Sequence, residues 1–234
     1  PEIILSDVIN ILKKHIDLKD IIGVYLAGSY ARGEEDENSD IDILVITKDF
    51  DKEMINEGIY NILVISSGLL EQKLNRDLFP VGQMLKEAKS ILNSDYLNSI
   101  EIKVTKRNIK WYLETTEDKL KIIKKILDRT KNKKYINDVV AYTLILRIKT
   151  LWIIRKLIKH EVYSKKEFVR AIKNISKGAD AYERYLAVKH NAREKKGISR
   201  EESERLYIYL RNQLKEVRGL VKRQNKIFTA KTVV

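Results

Sequence analysis

Apolar and polar residues follow two different periods along the chain. Over residues 2–16 the apolar positions recur at helical spacing, with Ile4, Val8, Ile11 and Leu12 on one stripe, which predicts an amphipathic helix. The period then changes. Residues 21–26 are a short apolar run ending in Ala27-Gly28-Ser29, the pattern of a buried strand that enters a tight turn. Residues 41–46 and 59–65 predict two more buried strands, the latter followed by the turn signal Ser66-Ser67-Gly68. Residues 69–79 and 80–92 predict helices, the second with Pro80 in its first turn, where proline is favoured. In residues 99–104, Ile100, Ile102 and Val104 alternate with Glu101 and Lys103, as expected of a fourth strand.

After Thr105 the period is helical throughout. Residues 107–129 place Leu113, Leu120, Ile123 and Leu127 near one stripe. Residues 135–160 are more apolar around the whole circumference and predict a central helix of a bundle. Ser164-Lys165-Lys166-Glu167 and Ser199-Arg200-Glu201-Glu202 both match the capping box that opens a helix. Gly178 and Gly197 fall where helices should stop or turn. The expected fold is therefore α+β: a small mixed sheet with flanking helices, followed by an all-α bundle of about five helices. The boundary is expected near residues 104–107, giving domains 1–104 and 105–234.

Charge sharpens that division. Residues 1–104 hold 11 Lys/Arg against 19 Asp/Glu, a net charge of −8, whereas residues 105–234 hold 35 against 14, a net +21. An acidic half suits metal binding, and a basic half suits a polyanion such as RNA or a bound triphosphate, or else a set of solvated Lys-rich helix faces. The sequence has no Cys, which excludes disulfides, thiolate metal sites and thiol nucleophiles. No apolar run reaches the roughly 20 residues that span a bilayer, and no signal pattern opens the chain. The expectation is a cytoplasmic protein without a membrane partner.

The chemistry concentrates in Gly28-Ser29-Tyr30-Ala31-Arg32-Gly33 and Ser39-Asp40-Ile41-Asp42-Ile43-Leu44-Val45. Gly28 lacks a side chain, so a phosphate can approach the backbone of the turn. The Ser29 hydroxyl can add a donor, and Arg32 lies one helical turn further on, within reach of a phosphate or of the surface. Gly33 lets the chain turn before the acidic loop 34–38. Asp40 and Asp42 are two residues apart, so on a strand both carboxylates share a face, while Ile41, Ile43 and Val45 take the other. Two like charges so placed repel unless a cation lies between them, and Mg²⁺ accepts one or two carboxylates together with substrate phosphates.

Gly-Ser, a second Gly, and Asp-x-Asp inside an apolar strand resemble the nucleotidyltransferase superfamily of DNA polymerase β. More narrowly they resemble the minimal and antibiotic-modifying nucleotidyltransferases. The likeness is carried by residues 20–66 and extends loosely over 1–104. It implies a metal-dependent transfer of a nucleotidyl group from an NTP to an acceptor hydroxyl, with release of pyrophosphate. It also implies two Mg²⁺ ions (Mn²⁺ as the alternative) on Asp40 and Asp42, and the triphosphate at Gly28, Ser29 and Arg32. The family further implies a third carboxylate on a following strand. Asn61 stands at that position, and an amide cannot act as a base. Glu57, Glu71 and Glu101 are other carboxylates of this half, and spacing selects none of them.

Many such enzymes carry or pair with a helical bundle, some of the HEPN kind with an Arg-x(4–6)-His motif. Arg155 with His160 and Arg184 with His190 match that spacing, but neither His is followed by the x-Tyr of the partner toxins. Trp111, Tyr112, Trp152, Tyr182, Tyr185, Tyr207 and Tyr209 are expected in packing, a minority of them stacking on a base. Two rival readings follow: a catalytically degenerate nucleotide- or nucleic-acid-binding regulator, favoured by Asn61, and an antitoxin-like partner of a separate helical toxin.

Overall fold

The computed structural model describes residues 2–37, 39–178, 180–191 and 197–231. The chain forms two compact units, Pro1–Asn108 and Ile109–Val234. The first is α+β and the second, among the described residues, consists of helices and one short ribbon.

The first unit opens with α1 (Glu2–Leu12) and continues through a 3₁₀ turn at Leu18–Asp20 into β1 (Ile21–Ala27). A five-residue helix, α2 (Gly28–Arg32), follows, then β2 (Ile41–Thr47), β3 (Lys52–Glu57) and β4 (Tyr60–Ser66). Helices α3 (Ser67–Arg76) and α4 (Val81–Glu87), strand β5 (Lys89–Leu92) and helix α5 (Ser94–Ser99) complete the unit. The sheet order is β3-β4-β2-β1-β5. Only β2 and β4 are parallel, and the intervening residues 48–59 make the crossover as a strand, β3, that hairpins onto β4.

The two central strands read as nearly unbroken apolar runs because both faces are covered. Ile41, Ile43, Val45, Ile62 and Val64 pack with Val8, Ile11 and Leu12 of α1. Ile4, on the same stripe of α1, lies outside the described side chains. Leu44, Ile46, Leu63, Ile65 and Tyr25 form the opposite face with Leu70 of α3 and Val81 and Leu85 of α4. Asp42 and Asn61 have the parity of this second face.

Several expectations need correction. The first helix stops at Leu12, four residues before the expected end. β3 went unread because Lys52-Glu53-Met54-Ile55-Asn56-Glu57 is a mostly polar edge strand, the kind of sequence that blunts an exposed edge. The helix expected over 80–92 ends at Glu87, and residues 89–92 instead pair antiparallel with β1, satisfying its free edge. With that edge taken, residues 99–104 form no strand, and Ile100 and Ile102 pack against the second face of the sheet.

The second unit contains α6 (Lys110–Arg129), α7 (Asp138–Ile158), α8 (Lys165–Ser176), α9 (Asp180–Lys189) and α10 (Arg200–Lys231). A two-stranded ribbon, β6 (Tyr135–Ile136) with β7 (Ile198–Ser199), interrupts what the sequence presented as purely helical. Helix α7 packs against α6, α8, α9 and α10, which accounts for its apolar circumference. Ser164 and Ser199 cap as expected, each accepting from the backbone N–H of the Glu three residues on. No helix among the described residues is long and apolar enough to cross a membrane.

Candidate active site

The site is built where β1 ends and β2 begins. Ala27 pairs with Asp42 across the antiparallel β1–β2 ladder, and Asp42 pairs with Asn61 across the parallel β2–β4 ladder. Ala27, Asp42 and Asn61 therefore stand in one row, and Asn56 of β3 continues it beside Asn61. Asp40 is exposed and lies one residue before β2, so the aspartate pair straddles the start of the strand.

Immediately after Ala27 the backbone turns through Gly28 at φ +68°, a conformation that L side chains rarely adopt. A Cβ at Gly28 would come within 2.0 Å of an Asp42 carboxylate oxygen. Glycine is thus required twice, by the backbone angle and by the carboxylate lying against its Cα. Gly33, at φ +65°, closes α2, and its N–H and that of Glu34 return to carbonyls of the turn. The next bend is held by Ser39, whose hydroxyl donates to Asp36 at 3.0 Å and accepts from its N–H at 2.8 Å. Asn38, at the end of the acidic loop, lies outside the described residues.

Arg32 is only 11% exposed in its side chain and is ion-paired on two sides. Its Nε reaches Glu34 at 3.0 Å and one of its terminal nitrogens reaches Glu87 at 2.6 Å. Glu87, the last residue of α4, also accepts the Gly28 N–H at 2.9 Å. Burial is the largest influence on Glu87 and pushes its carboxyl above the ordinary range, against the opposing pull of Arg32 and of hydrogen bonds from Gly28 and Gln83. Burial also opposes the charge of Arg32, but Glu87 and Glu34 together outweigh it and raise the guanidinium further.

Structure thus brings Gly28, Ser29, Asp40 and Asp42 to one end of the sheet, and it places Arg32 in a buried ion pair beside them. It does not gather the other carboxylates there. Glu57 is opposite Tyr60, on the α1 side of the sheet, and pairs with Lys14. Glu101 is exposed and pairs with Lys103, and Glu71 is exposed on α3. Among the described residues no cluster of three acidic or His groups could hold a metal by itself. The residue that sequence reasoning missed is Glu87. Its only signal was an acid in the last turn of a short helix, a position the helix dipole disfavours, and reading 80–92 as one helix hid that end.

In the second unit, Arg155 is engaged with Glu216 of α10 at 3.1 Å, and His160 closes α7 at φ +57°. Arg184 is half-buried on α9 and His190 is exposed beyond its end, with Ala192 outside the described residues. Tyr142 stacks on Tyr185 and Trp152 meets Phe168 edge-on, both as packing, whereas Trp111 is 60% exposed.

Solved structures that this chain resembles include two nucleotidyltransferases or nucleotidyltransferase-like proteins. A nucleotidyltransferase-like protein from Exiguobacterium sibiricum is 13% identical, with 92% of this chain and 75% of that chain covered, at a TM-score of 0.42. A spectinomycin adenyltransferase from Enterococcus faecialis, solved with ATP and spectinomycin, is 15% identical, with 90% and 98% covered, at a TM-score of 0.44. No curated protein matches the chain in sequence. The family model of the nucleotidyltransferase domain, however, matches residues 5–224, and the chain belongs to that family of NTP-dependent nucleotidyltransferases.

Proposed function

We propose that this protein moves a nucleotidyl group from an NTP to an acceptor hydroxyl and releases pyrophosphate, with its chemistry in residues 1–104 and its helical bundle in 105–234. The observation that carries this reading is the close approach of the Gly28 Cα and the Asp42 carboxylate. The turn suited to a phosphate and the acid suited to its counter-ion meet at one point. Asp40 and Asp42 supply two carboxylates, and Asn61 beside them offers a neutral amide oxygen. That donor set fits Mg²⁺, or Mn²⁺, arriving with the nucleotide, because Mg²⁺ is usually bound by one or two carboxylates together with substrate phosphates. Bound there, such ions would neutralise charge on the phosphates of the reaction.

The chain's own contributions are positional. Gly28 admits phosphate oxygens to the backbone, and the Ser29 hydroxyl donates to them. Arg32 serves the nucleotide at one remove, since its guanidinium is already held by Glu34 and Glu87. Asn61 can orient an acceptor hydroxyl but cannot take up its proton. The acceptor is a small molecule, a protein side chain or an RNA end. The net charge of +21 on residues 105–234 supports RNA.

Asn61 also favours a second reading, a regulator that binds nucleotide without turning it over. The test for both is titration of Mg·ATP by calorimetry, alongside pyrophosphate release over a pool of acceptors. Asp42→Asn and Gly28→Ala should each abolish Mg·ATP binding while the circular dichroism spectrum is kept. Unchanged affinity in both variants removes the nucleotide site from this end of the sheet. Binding without pyrophosphate release under any condition favours the regulator.

A further inference from the structure

Glu87 breaks two local rules at once. It is an acid at the C-terminal end of a helix, where the dipole is unfavourable, and its side chain is only 3% exposed. Neither feature contributes stability by itself. A buried acid–base pair is often matched or bettered by well-packed apolar residues of the same volume. What the carboxylate does gain is three donors: the Gly28 N–H, the Arg32 guanidinium and the Gln83 side chain. The first belongs to the turn on which Asp42 rests.

We propose that Glu87 is a positioning residue: clamped by Arg32, its carboxylate fixes the Gly28 peptide, and through it sets where the Asp42 carboxylate stands. This rests on the reading of the Gly28–Ser29 turn as the triphosphate site. The path is short and continuous. Glu34 and Arg32 orient Glu87, one oxygen of Glu87 holds the Gly28 N–H, and the Gly28 Cα abuts an oxygen of Asp42. Gly28 is the one residue of this path with no side chain to lock it in place, and at φ +68° its peptide needs an external partner to hold its orientation. A charge-assisted hydrogen bond is about twice as strong as a neutral one, and so suits that task.

The test uses the full chain, with Mn²⁺ and ATP as the probe. Mn·ATP affinity is read by electron paramagnetic resonance, and the Gly28 amide by ¹⁵N-glycine NMR without nucleotide. Arg32→Met/Glu87→Leu replaces the Arg32–Glu87 pair with apolar side chains but takes the cation from Glu34 as well, so it should melt below the wild type, and Mn·ATP is titrated well below its melting temperature. It should also free the Gly28 amide to exchange and weaken Mn·ATP roughly tenfold to a hundredfold, the scale of one lost charged hydrogen bond. Glu87→Gln keeps an acceptor for the N–H and should lose less than tenfold. Wild-type Mn·ATP affinity in the double variant overturns the proposal. So does a Gly28 amide that exchanges freely in the wild-type protein, a measurement that needs no variant to fold. Asp42→Asn separates the two levels. If it abolishes Mn·ATP binding while the double variant binds normally, only the role of Glu87 falls. If Asp42→Asn also binds normally, the nucleotide reading falls with it.

Discussion

In the first unit Arg32, Glu34 and Glu87 form ion pairs whose side chains are 11%, 10% and 3% exposed. Along α6 of the second unit, Lys110–Glu114, Lys121–Asp118 and Lys124–Asp128 are ion pairs in which every side chain is more than half exposed. The residue types are the same, and the surroundings decide what they can do. In water the attraction of such a pair is largely offset by solvation and side-chain entropy. In the interior, removal of one partner strands a charge, so the pair acts as a constraint on its neighbours. The first unit spends such a constraint on the turn beside Asp42, and the second spreads its charge over solvated helix faces.

The largest effect expected from this contrast is at Arg32. Arg32→Ala leaves Glu34 and Glu87 without their cation and should destabilise the first unit by about 3–5 kcal/mol, the usual result of breaking a buried pair. Urea denaturation monitored in the first unit checks this, and a loss no larger than that of a surface substitution would break the contrast. Next comes Asn61→Asp, which adds an acid beside Asp42 at almost unchanged volume. It should raise pyrophosphate release by about 10²–10⁴-fold, the typical worth of a general base, measured with labelled NTP and a mixed acceptor pool. If that variant stays as slow as the wild type, the row Asn56–Asn61–Asp42 does not lie at the acceptor. The smallest effect is on α6. Lys124→Ala, which removes the pair with Asp128, should leave the melting curve unchanged within error, and a clear downward shift would show that an exposed pair is doing what only the buried one is expected to do.

Much of the candidate site could be proposed from the sequence because its residues are neighbours along the chain. Gly28-Ser29, Arg32-Gly33 and Asp40-Ile41-Asp42 fall within fifteen positions, and the apolar runs of β1, β2 and β4 frame them. The register that sets Asn61 beside Asp42 is not fixed by those runs, since both faces of β2 and β4 are buried and a slip of one residue would only exchange one apolar face for the other. Glu87 was illegible for the opposite reason. It comes from a helix 55 positions beyond Arg32, and only tertiary packing brings the two together. β3 and β5 were missed because edge strands take their conformation from the neighbour they pair with, as Ser90 does opposite Tyr25, rather than from their own hydrophobic pattern.

The parallel pairing of β2 with β4 has one more consequence. Asp42 and Asn61 are joined by a hairpin detour, yet their spacing is fixed by the ladder between the strands and not by the length of that detour. Descendants of this chain can therefore lengthen, shorten or decorate residues 48–51 and the bend at Gly58 while the two positions stay side by side. Diversity in the loop and constancy at the strand can accumulate independently, and an acid gained or lost at residue 61 would alter the chemistry without any change in architecture.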